Sequence, residues 1–222
     1  MRLLYTDRTV SRLTVLIIVI VCAVCGLLFA EWRGSRAGVW VAKPVASLGF
    51  LALAWLGAPL ASTYGSALAL GLVLCALGDV LLIPSSNGRA FLAGIGSFAL
   101  GHLAYALGFG TRGLALAPTC GALAGMLALV WSSLRWLGPH LPAQMRVPVR
   151  VYMGFIACMV ATAVGCSAAT GDWRVALGAV AFALSDLSVA RERFLQPDFA
   201  NLLWGLPLYY AAQCLLALTS AA

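Results

Sequence analysis

The 222-residue chain is 63% hydrophobic and only 9% charged, whereas a soluble domain carries about 25% charged residues. Seven acidic and fourteen basic residues cannot cover a water-soluble globule of this size, which excludes that class. The formal net charge is +7, but the basic residues form no run with interleaved aromatic residues. This pattern excludes nucleic acid as a partner. We therefore predict an all-α, polytopic integral membrane protein whose arginines face lipid headgroups.

Eight apolar segments follow one another along the chain, and each is long enough to cross a hydrocarbon core of about 30 Å as an α-helix. Short pieces that hold most of the Arg and Pro separate them. We predict transmembrane helices at Leu13–Ala30, Val39–Leu56, Thr63–Ile83, Ala90–Phe109, Leu114–Trp136, Pro148–Ala168, Arg174–Ala190 and Phe199–Thr219. The connections are short, so residues 1–222 are predicted to form a single transmembrane domain. The first segment is interpreted as a membrane anchor, because no convincing signal-peptide cleavage site follows it.

The seven cysteines and two histidines do not form a recognisable metal or redox motif. Most of the cysteines lie inside apolar segments, where Cys behaves as a small hydrophobe. Cys22 and Cys25 have the spacing of a redox pair, but no βαβ pattern surrounds them. His102 and His140 are far apart, and no His/Cys cluster has zinc-ligand spacing. The sequence therefore predicts no metal site and no cofactor.

Two acidic residues lie inside the apolar segments, Asp79 in the third and Asp186 in the seventh. A carboxylate in hydrocarbon is costly, so intramembrane acids usually carry function and face a partner or a water-filled cavity. The third and seventh segments run in the same direction, which places both acids at a similar depth near one membrane face. We predict that Asp79 and Asp186 carry the function and line one pocket that opens on this face. A structural hydrogen bond or ion pair between helices is the alternative.

Further polar side chains approach from the same membrane face, and we expect them to line the same pocket. They are Lys43, His102, Tyr105, Ser185, Asn201, Tyr209 and Tyr210. Each has a structural interpretation as well. Lys43, the only lysine, is suited to extend its ammonium to the interface, His102 to hydrogen-bond between helices, and the tyrosines to lie at the membrane surface. Ser185 also suits a close contact between two helices.

A faint internal repeat relates the two halves of the chain. The segment around Asp79, Ala-Leu-Gly-Asp-Val, resembles Ala-Leu-Ser-Asp-Leu around Asp186, 107 positions later. In the next segment of each half, Gly101-x-x-x-Tyr105 matches Gly205-x-x-x-Tyr209, 104 positions later. Two four-helix halves related by an axis along the membrane normal would produce nearly equal offsets. The sequence therefore predicts a parallel repeat with the two carboxyls at equivalent positions.

A series of short motifs surrounds these polar positions. They are Lys43-Pro44, Gly78-Asp79, Phe91 followed by Gly101-His102-x-x-Tyr105, Gly178-x-x-x-Phe182-x-x-Ser185-Asp186, and Ala190-x-x-x-Phe194. In order and spacing they resemble the YhhN-like lysoplasmalogenase family over roughly residues 39–213, and Tyr209 with Tyr210 extends the likeness into the last segment. The compact loop after Asp79 and the pair Leu187-Ser188 depart from the family pattern without removing a candidate site residue.

The resemblance implies a lysophospholipid substrate, taken from among the membrane lipids, whose vinyl ether bond is hydrolysed. The products would be a fatty aldehyde and a glycerophospho-headgroup, glycerophosphoethanolamine or glycerophosphocholine. Protonation of the vinyl β-carbon creates an oxocarbenium ion, so the site needs one protonated carboxyl and one negative charge. The two buried carboxyls, Asp79 and Asp186, would be the catalytic pair that supplies the proton and the negative charge, as the two acids of a glycosidase do. Burial raises a carboxyl pKa, and two close carboxylates resist double ionisation. Lys43 would hold one Asp ionised or bind the lipid phosphate, while His102 and the tyrosines would position water or the headgroup.

Two other classes of protein fit the same residues. Paired intramembrane carboxylates and a parallel repeat also suit a small proton-coupled transporter or exporter, and a structural or lipid-sensing protein needs no turnover. The orientation is open, because most arginines are predicted on the face that carries the Asp pair, whereas the cationic N-terminus favours the reverse. Without eukaryotic sorting signals in the sequence, we expect a bacterial inner membrane.

Overall fold

The computed structural model describes the backbone of residues 2–84 and 88–220 and the side chains from residue 11 onward within those ranges. Within these ranges the chain forms eight α-helices and three short 3-10 turns, at Pro59–Ala61, Gly138–His140 and Ala143–Met145. The helices are α1 (Arg2–Trp32), α2 (Arg36–Trp55), α3 (Thr63–Leu81), α4 (Gly88–Thr111), α5 (Leu116–Leu137), α6 (Arg146–Thr170), α7 (Trp173–Phe194) and α8 (Phe199–Ala217). Each predicted segment is a helix, which confirms the all-α fold.

The helices have the length and composition of membrane spans. In the part of the chain that the structure describes, seven of them, α1 to α7, are long and apolar enough to cross a bilayer, with a mean hydropathy between 1.4 and 3.1. The eighth, α8, which contains Asn201, Gln213 and two tyrosines, is not among these seven. The chain is therefore a polytopic membrane protein, and the count of eight spans stays a prediction.

Two helices extend well beyond the predicted apolar segments. The helix α7 ends at Phe194 rather than Ala190, and α1 begins at Arg2 rather than Leu13. Hydropathy marks the membrane boundary, whereas a helix continues until its backbone is capped or broken. Arg191 and Arg193 therefore lie in the last turn of α7, beyond the apolar stretch. The other predicted ends agree with the helices to within three residues.

Six helices form a closed ring around the interior of the bundle. In order around the ring, α2 packs on α3, α3 on α4, α4 on α6, α6 on α7, α7 on α8, and α8 on α2. The first helix packs against α2 and α8 and adds Ile20, Val24 and Leu27 to the core. The fifth packs chiefly on α6, and its apolar stretch contributes no buried residue. The polar candidates on α2, α3, α4, α7 and α8 therefore share one interior.

Small residues bring the helices that carry the site very close together. On α3, a Cβ added at Gly71 would meet the ring of Tyr105, and one at Gly78 would meet the ring of Phe98, both on α4. On α8, a Cβ at Gly205 would meet the side chain of Ser188 on α7. Such contacts are typical of packing between membrane helices. Asp79 therefore follows directly in the chain a residue, Gly78, at which α3 and α4 are in close contact.

Candidate active site

Asp79 is buried near the end of α3 and accepts hydrogen bonds from two neighbouring helices. Ser47 on α2 donates its Oγ–H to Asp79 Oδ2 at 2.7 Å, and Tyr209 on α8 donates its hydroxyl to the same oxygen at 2.8 Å. The Lys43 Nζ atom lies 3.7 Å from Asp79 Oδ1, and the two side chains are 13% and 3% exposed. Because a cation and two hydroxyls surround it, this carboxyl has the partners that a buried charge requires.

A chain of hydrogen bonds extends from Asp79 across the bundle. Tyr105 on α4 donates to Gln213 Oε1 at 2.8 Å, and Gln213 Nε2 donates to the Tyr209 oxygen at 3.1 Å. Tyr209 then donates to Asp79, so every donor in the chain points towards the carboxyl. Gln213, Tyr105 and Tyr209 are all buried. The predicted site residues Tyr105 and Tyr209 are therefore joined to Asp79, the first through Gln213.

Asp186 lies on α7 in a second polar cluster with Tyr152 on α6 and His102 on α4. The Tyr152 hydroxyl donates to Asp186 Oδ2 at 3.1 Å and also lies 3.1 Å from His102 Nε2. His102 Nε2 is 3.5 Å from Asp186 Oδ2. The His102 side chain is fully buried, and within the described part of the protein its Nδ1 atom has no hydrogen-bond partner. The carboxyl is 15% exposed, more than that of Asp79.

Aromatic rings connect the two polar clusters. The ring of Phe182 on α7 packs edge-on against Tyr209 at 5.2 Å between centroids and against His102 at 4.6 Å. Phe98 on α4 packs edge-on against the same Phe182 and Tyr209 rings. Among the described residues, no hydrogen bond or ion pair joins Asp79 to Asp186 directly. The candidate site is therefore one interior region with two carboxyls, each with its own donors, separated by aromatic surface.

The remaining predicted site residues lie at different distances from the carboxyls. Tyr210 donates to the backbone carbonyl of Lys43 at 3.4 Å, so it borders the Asp79 cluster. Ser185 donates to the carbonyl of Phe182 within its own helix at 2.7 Å. Asn201 donates to Glu192 Oε2 at 2.9 Å and to the carbonyl of Gln196 at 2.8 Å. Asn201 thus stabilises the connection between α7 and α8. Its hydrogen bonds do not include Asp79 or Asp186.

Three polar side chains in these clusters were not predicted from the sequence: Ser47, Tyr152 and Gln213. Ser and Tyr are common in membrane helices, so their residue type alone gave no signal. Gln213 did offer one, because an amide within an apolar segment needs a partner. Tyr152 lies 109 positions after Lys43, close to the offset of the internal repeat, and this spacing could have indicated it.

A metal-binding arrangement is not among the groups that surround these carboxyls. Across residues 11–84 and 88–220, no three His, Cys, Asp or Glu side chains lie close enough to hold a metal ion. All seven cysteines are free, and Cys22 and Cys25 are exposed on α1.

A cavity of about 310 Å³ lies apart from the polar clusters, between the end of α5 and the start of α6. It is lined by Leu134, Gly138, Leu141, Arg146 and Arg150.

An ion-pair network lies at the end of the bundle opposite the two carboxyls. Arg174 donates from Nε and Nη2 to the two oxygens of Asp172, at 2.8 and 3.0 Å, and Arg112 donates to Asp172 Oδ2 at 3.3 Å. The hydrogen bonds from Arg174, followed by the one from Arg112, lower the pKa of the Asp172 carboxyl below its ordinary value. Asp172 also caps α7 by accepting from the Arg174 backbone N–H. This acid therefore joins the ends of three helices.

Comparisons with known proteins give a consistent result. The YhhN family model matches residues 38–220. The lysoplasmalogenase TMEM86A of Bos taurus is 32% identical over 207 residues, which cover 86% of this chain and 83% of that protein. The lysoplasmalogenase TMEM86B of Sus scrofa is 32% identical over 201 residues, 88% of this chain and 82% of its own length. A lysoplasmalogenase of Mycobacterium tuberculosis is 36% identical over 128 residues, 56% of this chain and 48% of that protein. No solved structure matches the chain.

Proposed function

Because the chain belongs to the YhhN family, and relatives that it matches over most of their length are lysoplasmalogenases, we propose that it is a membrane-embedded lysoplasmalogenase. It hydrolyses the vinyl ether bond of a lysoplasmalogen and releases a fatty aldehyde and a glycerophospho-headgroup. The observation that carries this proposal is the pair of carboxyls, Asp79 and Asp186, buried in the interior of the helix ring with separate sets of donors.

The chemistry of a vinyl ether explains why two carboxyls are useful. Cleavage begins when an acid protonates the β-carbon of the double bond, which leaves a positive charge shared by the α-carbon and the ether oxygen. Water then adds to the α-carbon, and the resulting hemiacetal separates into aldehyde and alcohol. A carboxylic acid supplies the proton, and a nearby carboxylate offsets the positive charge, as the two acids of a glycosidase do for a related ion.

The surrounding side chains suit an amphiphilic substrate. The alkenyl chain of the substrate is apolar, as are the packed rings of Phe98, Phe182 and Tyr209 that lie between the carboxyls. Lys43 is partly exposed and lies beside Asp79, so its ammonium tunes that acid or meets the lipid phosphate. Tyr210 holds the backbone of Lys43, and His102 with Tyr152 surrounds Asp186. We place the substrate's vinyl group between these two clusters.

The fold and the distribution of arginines support a proposal for where the reaction takes place. The chain spans the membrane several times, so the substrate reaches the site from within a leaflet, where lysoplasmalogens reside. We propose the inner membrane of a bacterium as the location. The excess of arginines on the face that carries the two acids favours a site that opens towards the cytoplasm.

Purified protein in detergent tests the activity directly. Incubation with a lysoplasmalogen should release a fatty aldehyde, detected by derivatisation and mass spectrometry, in proportion to protein and time. The matched control lipid is the lysophospholipid with a saturated alkyl ether at the same position, which lacks the double bond and should stay intact. Since detergent micelles have no sealed compartments, aldehyde release requires an enzyme.

The same preparation also tests the transporter alternative. A proton-coupled carrier would leave the lipid intact in detergent and would move it only across the membrane of sealed vesicles that carry a pH gradient. Unchanged lysoplasmalogen in detergent, together with gradient-dependent movement in vesicles, would contradict the proposed enzyme.

A further inference from the structure

The two carboxyls have different surroundings, and the difference separates their roles. Asp79 faces three donors, one of which is the ammonium of Lys43, and both of its oxygens have partners. Asp186 faces a hydroxyl and an imidazole, both directed at Oδ2. Among the described residues, Asp186 Oδ1 has no hydrogen-bond partner, and its side chain is the more exposed of the two. Only Asp186 therefore has an oxygen free to carry a proton to a substrate.

The surroundings of the two ring nitrogens of His102 indicate which of them carries the hydrogen. Nε2 has two acceptors within reach, the Tyr152 oxygen and Asp186 Oδ2, whereas Nδ1 is buried and has none in the described part of the protein. A hydrogen on Nδ1 would leave a buried N–H group without an acceptor, which is costly. The hydrogen therefore belongs on Nε2, where the Tyr152 oxygen accepts it at 3.1 Å. Tyr152 in turn donates to Asp186, and among the described residues no lysine or arginine forms an ion pair with Asp186 as Lys43 does with Asp79.

We propose that Asp186 is the proton donor of the reaction, positioned by Tyr152 and His102, and that Asp79 remains ionised through Lys43, Ser47 and Tyr209. This inference rests on the proposed vinyl ether hydrolysis and assigns the two carboxyls their separate roles in it. Tyr152 and His102 act as positioning residues, because they hold Asp186 Oδ2 and leave Oδ1 directed at the substrate.

The proposed steps balance in protons and electrons. The O–H bond at Asp186 Oδ1 breaks as the π electrons of the vinyl group form the new C–H bond at the β-carbon. The Asp186 carboxylate keeps its hydrogen bond from Tyr152, while the Asp79 carboxylate offsets the positive charge on the substrate. Water then forms a C–O bond at the α-carbon and returns one proton to Asp186. Finally, the hemiacetal hydroxyl proton moves to the ether oxygen as the C–O bond breaks, which gives aldehyde and alcohol.

Each neighbouring helix contributes few titratable groups to this arrangement. Facing Asp79 are Lys43 from α2, Tyr209 and Tyr210 from α8, Tyr105 from α4, and Cys75 on the preceding turn of α3. Glu31 on α1 acts on Lys43 from the membrane face. Facing Asp186 are His102 from α4 and Tyr152 from α6, and Cys75 from α3 interacts with it as well. Among the described residues, Lys43 is therefore the cation that distinguishes the two carboxyls.

The pH dependence of kcat/KM tests the assignment, because each carboxyl should control one limb of the profile. In the wild type, activity should fall at acidic pH as Asp79 gains a proton and at alkaline pH as Asp186 loses one. Lys43→Met removes the cation beside Asp79, so it should move the acidic limb to higher pH by about 1 unit or more and leave the alkaline limb in place. Tyr152→Phe removes the donor to the Asp186 anion, so it should lower kcat and move only the alkaline limb, also to higher pH.

Two variants away from the carboxyls serve as matched controls. Tyr64→Phe removes another buried hydroxyl, which is hydrogen-bonded to Thr219 at 2.6 Å. Arg135→Met removes a cation that lies over the Trp131 ring at the end of α5. Neither change should move a limb of the profile.

The outcomes separate this inference from the proposed function. If the wild type releases no aldehyde, the proposed function fails. If it is active but Lys43→Met moves the alkaline limb, Tyr152→Phe moves the acidic one, or neither variant moves any limb, the role assignment fails and the function stands. Should Tyr152→Phe not fold, the residual activity of the near-isosteric Asp186→Asn and Asp79→Asn gives the same test. The first should lose the alkaline limb and the second the acidic limb, and the reverse pattern would overturn the assignment.

Discussion

At the scale of single residues, the candidate site consists of carboxyls that the bundle interior can hold only with complementary donors. Asp79 combines the Lys43 ammonium with the hydroxyls of Ser47 and Tyr209, and Asp186 combines Tyr152 with His102. Each donor set compensates for part of the hydration that the carboxyl loses on burial. Such a set is compatible with structure alone, so activity and stability have to be separated by experiment.

Replacing either carboxyl with the near-isosteric amide makes that separation. Asp79→Asn and Asp186→Asn each retain an oxygen that accepts a hydrogen bond but lose the acid or the charge. We expect each to lower turnover at least about 100-fold, the lower end of what general acid–base catalysis contributes, with little change in melting temperature. Aldehyde release and thermal unfolding in detergent measure the two effects.

The matched control is Asp198→Asn. Asp198 caps α8 by accepting from the Ala200 backbone N–H, and Asn is an equally good cap, so this variant should keep its turnover. Near-normal turnover in either Asp79→Asn or Asp186→Asn would remove that residue from the mechanism.

The sequence indicated the charged members of the site and missed three neutral ones, Ser47, Tyr152 and Gln213, for a physical reason. Asp79 and Lys43 are conspicuous in apolar segments because a charge there is costly. Tyr152 and Ser47 are ordinary in membrane helices, and only their orientation in the folded protein brings them to a carboxyl. Asn201 shows the converse, because it is polar and near the same face, yet the structure directs it to Glu192 and Gln196.

At the scale of helices, the site depends on the close approach of α3 and α4. Gly71 leaves room for the ring of Tyr105, and Tyr105 in turn donates to Gln213 at the start of the hydrogen-bond chain to Asp79. The Tyr105 ring is fully buried, so it has little freedom to move aside. A side chain at position 71 would therefore affect both helix packing and the site.

Gly71→Ala should lower both stability and turnover. The added Cβ would meet the Tyr105 ring, which must shift away from Gln213, and overpacking of this kind costs about 1–3 kcal/mol. The matched control is Gly125→Ala on α5, where a Cβ meets nothing within 4 Å. Melting temperatures and turnover of the two variants decide the point. A Gly71→Ala protein as stable and active as Gly125→Ala would show that the close contact is unimportant.

The opposite end of the bundle gives a pH-dependent prediction. Arg174 lowers the pKa of the Asp172 carboxyl, so the ionised acid stabilises the fold, and this contribution is complete above the unfolded pKa of about 3.9. It should disappear as the pH falls through the lower, folded pKa. Asp172→Asn keeps the helix cap and removes the charge. We therefore expect a lower melting temperature than the wild type at neutral pH, and a difference that shrinks below about pH 4.

Thermal unfolding of the two proteins across the pH range measures this difference. Arg174 is 41% exposed, so solvent screens the ion pair and the effect should be modest. A difference in melting temperature that grows as the pH falls would contradict the assigned direction of the pKa shift.

Helix positions were predictable and helix neighbours were not. Runs of apolar residues marked each helix, because only a helix satisfies its backbone within lipid. They did not show that α6 lies between α4 and α7, or that α5 lies outside the ring. That arrangement depends on contacts such as those of Gly71 and Gly205, which follow from side-chain shape rather than from hydropathy.

At the scale of the whole molecule, the two halves of the chain contribute to each other's carboxyl. Asp79 on α3 meets Lys43 from the same half and Tyr209 from the other, while Asp186 on α7 meets Tyr152 from the same half and His102 from the other. Two halves related by an axis along the membrane normal would pair their helices in this way. The repeat stays a prediction. If it holds, the replacement of Lys43 by Tyr152 in the second half is what makes the site asymmetric.

The central claim is that this interior protonates a carbon atom. Cleavage at a carbonyl carbon or at phosphorus would leave the C–H bonds of the lipid untouched, whereas vinyl ether hydrolysis places a solvent-derived hydrogen on the carbon next to the new aldehyde. Turnover in D₂O, with the aldehyde trapped at once by reduction, distinguishes the two. A preformed aldehyde incubated under the same conditions measures exchange through the enol.

The account predicts that the trapped alcohol carries one deuterium at C2 and that turnover is slower in D₂O, because transfer of the proton to carbon limits the rate. Aldehyde released without deuterium above the exchange control would contradict the mechanism, even if Asp79 and Asp186 both proved essential.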